Sequence, residues 1–204
     1  MSQSLYLIRH GYALHNELFP KLGVRAFRIP ATIDAPLTHE GHRQSIELGY
    51  SWKGKGDIEL VLVSPLTRTL ETCMNIFGDT DIPIESYEFL REYPIGEDTC
   101  NQRSSLKEIK NKFPKIEFHL DVNKDTLWKS EERETIDELE TRLNRMVEFI
   151  KLRPETNIAI VGHGSFFGQF KDYHIRYMEN GDEELKHCYP YEFILDQNYE
   201  RKRL

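Results

Sequence analysis

Three four-residue runs in this chain are apolar throughout: Leu5-Tyr6-Leu7-Ile8, Leu60-Val61-Leu62-Val63 and Ile158-Ala159-Ile160-Val161. A strand with one wet face alternates apolar and polar residues. A run without that alternation reads as a strand covered on both faces, which is the signature of a parallel sheet. Helical patterns separate the runs, so the predicted fold class is α/β: three layers, α/β/α, with a mainly parallel central sheet and helices on both faces.

The residues just after each run are as informative as the run itself. The first run empties into Arg9-His10-Gly11, and the third into Gly162-His163-Gly164-Ser165. The second ends at Ser64-Pro65, with Arg68 in the first turn of the next helix. In open α/β sheets ligands bind just beyond the carboxyl ends of the strands. If the three strands are parallel neighbours, two histidines and two arginines face one crevice. Arginine offers a permanently charged planar fork for phosphate or carboxylate. Histidine is a nucleophile or proton carrier near neutral pH. Gly11 lets the backbone turn sharply or approach a ligand closely.

Between these anchors the pattern predicts a short helix after Gly11, then a helix capped by Thr38 from His39 to about Trp52, attached to the sheet through Ile46 and Leu48. Leu66, Leu70, Cys73, Met74 and Phe77 share one face of the next helix. Ile82-Pro83-Ile84 reads as a short strand whose proline marks an edge or a strand start. An irregular section comes next, to about Thr135. It contains a helix boxed by Ser105 and Glu108 and stopped by Pro114. A second box, Thr135 with Glu138, opens the clearest helix, with Ile136, Leu139, Leu143, Met146, Val147 and Ile150 on its apolar face. A helix from Ser165 to about Met178 and a strand over Glu192–Leu195 complete the reading. The chain is expected to be one domain over residues 1–204, with a lid or substrate wall inserted at about 87–134.

Composition narrows the partners. The chain has 204 residues and a formal net charge of −7, which argues against broad nucleic-acid or membrane-surface binding. A small anion remains compatible, because arginines can cluster inside an acidic protein. The cysteines, Cys73, Cys100 and Cys188, have no paired spacing, which points to a reducing compartment and away from zinc. The N-terminus lacks a signal-peptide pattern and no run approaches membrane-spanning length, so the cytoplasm, with the nucleus as alternative, is expected. Arg201–Leu204 reads as a solvated basic tail. No histidine spacing suggests a metal, and no cofactor is expected. The pattern carries no signal of oligomeric state.

Taken together, Leu7-Ile8-Arg9-His10-Gly11, Ser64-Pro65-Leu66-Thr67-Arg68-Thr69-Leu70-Glu71-Thr72 and Val161-Gly162-His163-Gly164 resemble the histidine phosphatase superfamily, also called the phosphoglycerate mutase-like family. The likeness covers nearly the whole chain. Arg91-Glu92, the stretch Thr99 to Ser105, and Phe113-Pro114 are similar to a fungal and plant phosphoglycerate mutase-like subgroup. The resemblance implies a small phosphorylated substrate and a phosphohistidine formed on His10. It implies that Arg9, Arg68 and His163, with Gly164 beside it, hold the phosphoryl oxygens. Asn16 would add a neutral donor, Glu92 would be the general acid, and Arg103 would read a second anionic group.

This chain departs from the mutase pattern. Gly11-Tyr12-Ala13-Leu14-His15-Asn16 lacks the serine or threonine after Arg-His-Gly and the tryptophan before asparagine. The expected activity is therefore hydrolysis of phosphate monoesters. The alternatives are a phosphoglycerate mutase-type transfer and a non-catalytic module that binds phospho-ligands or proteins.

Overall fold

The computed structural model describes residues 2–174, 176–177 and 185–196. Their centre is a seven-stranded sheet in the order β4-β3-β2-β5-β1-β7-β6. The strands are β1 (Gln3–Arg9), β2 (Leu60–Val63), β3 (Ile84–Tyr87), β4 (Glu117–His119), β5 (Asn157–Gly162), β6 (Arg176–Tyr177) and β7 (Pro190–Leu195). β4, β3, β2, β5 and β1 run parallel, and β7 pairs antiparallel with β1 and with β6. The helices are α1 (Leu14–Leu22), α2 (His39–Ser51), α3 (Thr67–Phe77), α4 (Leu106–Lys112), α5 (Ile136–Lys151) and α6 (Gly164–His174).

The apolar runs behave as their patterning predicts. Leu5, Leu7, Leu60, Leu62, Ile158 and Ile160 join one core with Leu139, Leu143, Met146 and Ile150 of α5 and Phe166, Phe167 and Phe170 of α6. The intervening residues, Ile8, Val61, Val63, Ala159 and Val161, join a second core with Leu48 of α2, Leu70 and Ile76 of α3 and Ile109 of α4. Side chains alternate across a strand, so each run needs apolar residues at every position to feed both cores. Registers Val61↔Ala159 and Ile8↔Val161 align the carboxyl ends of β2, β5 and β1.

Both capping boxes form: Ser105 accepts from the Glu108 N–H, and Thr135 from the Glu138 N–H. Each is worth about 1 kcal/mol to its helix. Several expectations are corrected. Ile46 and Ile136 are both 42% exposed, so neither anchors its helix; Leu48 does so for α2, and Leu139, Leu143, Met146, Val147 and Ile150 for α5. The third strand begins at Ile84, because Pro83 has no N–H to donate and only its carbonyl pairs, with the Val61 N–H at 2.9 Å. β3 is no edge strand: Glu117–His119, within the section read as irregular, pairs outside it as β4. The end of the helix near Met178 and the tail at 201–204 lie outside the described residues.

Two glycines set how closely the β1 exit meets α2. A Cβ on Gly11 would stand 2.5 Å from the Gly41 carbonyl oxygen, and one on Gly41 would stand 2.2 Å from the Tyr12 oxygen. The close approach that Gly11 permits here is to a helix backbone.

Candidate active site

The carboxyl ends of β1, β2 and β5 bring together His10, Arg68 and His163. His10 is 2% exposed and His163 is fully buried, with ring centroids 5.3 Å apart. His10 Nδ1 lies 2.8 Å from the Gly11 carbonyl oxygen. A carbonyl only accepts, so Nδ1 carries the proton and Nε2 keeps its lone pair. Arg68 Nε donates to that Nε2 at 3.3 Å. Burial, reinforced by the charge of Arg68 and the neighbouring imidazoles, holds His10 well below the ordinary histidine pKa. It is a neutral imidazole with its free nitrogen aimed at a guanidinium.

Arg68 is 1% exposed. Its Nη1 donates to the Cys100 carbonyl at 2.6 Å and its Nη2 to Asn101 Oδ1 at 2.8 Å. The residues that aim the arginine therefore come from the inserted section. Thr72 Oγ1 links the first turns, donating to the Arg68 carbonyl at 2.7 Å and accepting from the Gly11 N–H at 3.0 Å. Arg9 is tied on the other side, its Nη1 donating to the Leu185 carbonyl at 3.0 Å. A Cβ on Gly164 would lie 3.1 Å from Arg9 Nε, so glycine gives the guanidinium its room.

His163 Nε2 meets Ser64 Oγ at 2.7 Å, while Nδ1 is buried with no partner among the described residues. If Nε2 donated to Ser64, both the hydroxyl proton and the Nδ1 lone pair would be orphaned. If Ser64 donates, only one N–H lacks a partner. The second arrangement is favoured, and it leaves Nδ1–H as a donor for a bound oxyanion. Burial and Arg68 also hold His163 well below the usual histidine range.

Four carboxylates lie between residues 88 and 98, and three are tied up. Glu88 binds Arg91 and Arg103, and Glu97 and Asp98 bind Arg28. Glu92 is the fourth. Its Oε1 accepts from the backbone N–H of Tyr93 at 2.8 Å and of Phe166 at 2.9 Å, and Oε2 takes no hydrogen bond among the described residues. Burial raises its pKa above the ordinary carboxylate value, against the opposing pull of Arg68, both N–H groups and Arg9. A carboxyl group that keeps its proton longer is what an acid catalyst needs.

Arg103 is not brought into this cluster as a reader of anions. It is buried, with Nε on Glu88, Nη1 on the Ser104 and Asn123 carbonyls and Nη2 on those of Val122 and Lys124. All five of its N–H groups are engaged, so none is left for a substrate. Asn16 has a local job: Oδ1 accepts from the Ala13 N–H at 3.1 Å at the start of α1. Its Nδ2 makes no hydrogen bond among the described residues and stays available as a donor.

Sequence reasoning missed several contributors. The rings of His15 and His187 stand 5.8 and 5.4 Å from that of His10. His187 Nδ1 donates to the His10 carbonyl at 2.5 Å, and burial with Arg9 pushes its pKa down to about 4. Ser64 and Asn101 orient His163 and Arg68. Asp34 accepts from Thr67 N, Thr67 Oγ1 and Ser104 N, joining the start of α3 to the insertion. Ser64 lay in plain view at a strand end. The others sit in segments without periodic pattern.

These features define an α/β protein that gathers a buried guanidinium and two buried, neutral imidazoles at the ends of parallel strands. The chain belongs to the histidine phosphatase superfamily (branch 1), whose family model matches residues 5–178. It is 32% identical over 196 residues to Phosphoglycerate mutase-like protein 1 of Arabidopsis thaliana, covering 80% of this chain and 69% of that one. It is 28% identical over 172 residues to a Schizosaccharomyces pombe protein named "Probable phosphatase SPAC513.02", covering 80% and 75%. Its fold matches that of mycobacterial glucosyl-3-phosphoglycerate phosphatase Rv2419c at a TM-score of 0.54 and 19% identity, covering 83% and 80%. Family and relatives support phosphatase or mutase-like enzyme activity. Among the described residues no helix is long and apolar enough to cross a membrane.

Proposed function

We propose that this protein hydrolyses small phosphate monoesters through a phosphohistidine on His10. The observation that carries this reading is the His10 tautomer: Nδ1–H is bonded to Gly11 O, so the lone pair sits on Nε2, facing Arg68. Nε2 attacks phosphorus and an N–P bond forms as the ester P–O bond breaks. Covalent capture divides one hard displacement into two easier ones. Glu92 gives its proton to the departing alkoxide. Arg9, Arg68 and His163 Nδ1–H hold the phosphoryl oxygens, and Asn16 Nδ2 and the Gly164 turn complete their cradle. Their stabilisation is large because the site is buried. Glu92, now ionised, then takes a proton from water as its oxygen attacks phosphorus. The N–P bond breaks and inorganic phosphate leaves, so the enzyme returns unchanged.

Hydrolysis is favoured over mutase transfer. A mutase must hold the dephosphorylated acid while the phosphoryl group returns. The cation expected to read a second anionic group, Arg103, has no free donor. The test is phosphate release from a panel of monoesters without added metal, including 3-phosphoglycerate and 2,3-bisphosphoglycerate, by wild type and His10→Ala. Release that disappears in His10→Ala is expected. Phosphoglycerate interconversion faster than release would replace this reading with the mutase. Binding of phosphate without turnover of any ester would replace it with a binding module.

A further inference from the structure

A line of rings leads outward from the nucleophile. The His15 ring is 5.8 Å from that of His10, and Phe27 meets His15 edge-on at 5.8 Å. Phe19 stacks on Phe27 at 5.2 Å with planes 13° apart. His15 is 6% exposed, its Nδ1 has no partner among the described residues, and burial holds it neutral. It presents an uncharged ring face beside the phosphoryl site. Phe27 is half-buried and Phe19 is 45% exposed. The excursion that carries them also exposes Leu22, Val24 and Ile33. Phe19 and Phe27 are in contact with each other on this surface.

The wall is fixed in place. Thr99 Oγ1 donates to the carbonyls of Phe27 and Ile29, both at 3.1 Å. Arg28, next to Phe27, is held by Asp98 at 2.9 Å and Glu97 at 3.0 Å. Phe27 and Phe19 are the aromatic part of this excursion, which also exposes Glu17, Lys21 and Arg25.

We infer that the alcohol portion of the substrate is apolar or aromatic and packs on the wall formed by His15, Phe27 and Phe19. This rests on the phosphatase reading for its chemistry and on the ring geometry for its specificity.

The test compares kcat/KM for 2-phenylethyl phosphate with that for glycerol 3-phosphate and 3-phosphoglycerate. All three release alkoxides of similar basicity, so the ratio reports binding of the alcohol. Covering part of a phenyl ring predicts a preference of roughly tenfold for the phenylethyl ester. Phe27→Ala should bring the ratio near unity, the exposed Phe19→Ser should lower it in part, and Phe27→Leu should retain most of it. A ratio near unity in wild type, a preference for 3-phosphoglycerate, or a ratio unmoved by the variants would overturn the inference. Titration with phenylpropylphosphonate and methylphosphonate, which are not hydrolysed, separates the two claims. Tighter binding of the phenyl compound that is lost in Phe27→Ala, without turnover of any ester, upholds the wall and removes the phosphatase reading. Equal binding of both compounds overturns the wall whether or not esters turn over.

Discussion

At the residue scale, protonation decides the chemistry. His10 is held well below its ordinary pKa of 6.5 by burial and Arg68, so it stays an unprotonated imidazole as pH falls below 6.5. Glu92 is raised above 4.5 by burial, so its acid form persists to higher pH than an exposed carboxyl's. The kcat/KM profile should therefore lack an acid limb near 6.5 and should decline on the alkaline side as Glu92 loses its proton. Glu92→Gln should cost alkyl phosphates about 10²–10⁴-fold in kcat. The loss should be much smaller for p-nitrophenyl phosphate, whose leaving group needs no proton. An equal loss for both esters would show that Glu92 is not the acid. Ser64→Ala should lower kcat, because His163 then loses the hydroxyl that fixes its tautomer, and should cost about 1–3 kcal/mol of stability by leaving Nε2 buried without a partner; Ser64→Thr, which keeps the hydroxyl, should retain more of both. Much of this placement could be read in the sequence, and for a physical reason: Arg9 and His10 directly follow one apolar run, and His163 follows another after Gly162, and such runs read as buried strands. Glu92 was a choice among four carboxylates, and the structure occupies the other three with ion pairs. Arg103 shows the converse, since nothing in its neighbours told that carbonyls of residues 104 and 122–124 would take up its donors.

At the scale of elements, helices and strands with clean periodicity were legible. β2 was placed at its observed bounds, and α2, α4 and α5 began at the caps read from Thr38, Ser105 and Thr135. β4 was not legible, because three residues with two exposed positions carry no pattern; the strand exists through its pairing with β3. The Gly11–Gly41 contact was equally hidden, since it depends on two backbones meeting across the fold. It gives a prediction with an unusual sign. Glycine to alanine inside a helix ordinarily stabilises by up to about 1 kcal/mol. Gly41→Ala should instead destabilise by about 1–3 kcal/mol or more, because its Cβ would collide with the Tyr12 backbone and something must shift. Urea unfolding of the variant measures this directly.

At the scale of the whole molecule, the two ends of the inserted section are held together by buried charge. Arg91 is fully buried and donates to Asp125 at 2.7 and 2.8 Å, while Asp125 also accepts from the backbone N–H groups of Arg103, Leu127 and Trp128. Burial opposes ionisation of Asp125, but the Arg91 hydrogen bond and charge outweigh it and hold the pKa below 3.8. A depressed carboxylate contributes stability above its unfolded pKa and loses it as pH falls through the folded value. The neutral histidines at the site act in the same direction, because the unfolded chain takes up their protons first, below about 6.5. Stability should therefore fall progressively as pH drops from 6.5, and then more steeply below the carboxylate range. Asp125→Ala should cost about 3–5 kcal/mol, the magnitude for stranding one partner of a buried pair. Its loss should also lower kcat, because Asn101 and Cys100, which aim Arg68, belong to the same section.

The central claim is that phosphorus is displaced twice, once by His10 and once by water. Its most direct test is the stereochemistry at phosphorus, using a phosphorothioate monoester whose two non-bridging oxygens are different isotopes, hydrolysed in water of the third isotope so that the released thiophosphate is chiral. Two in-line displacements predict net retention of configuration, however briefly the phosphohistidine survives. Inversion would mean a single attack by water on the ester and would contradict the assignment of His10 as nucleophile.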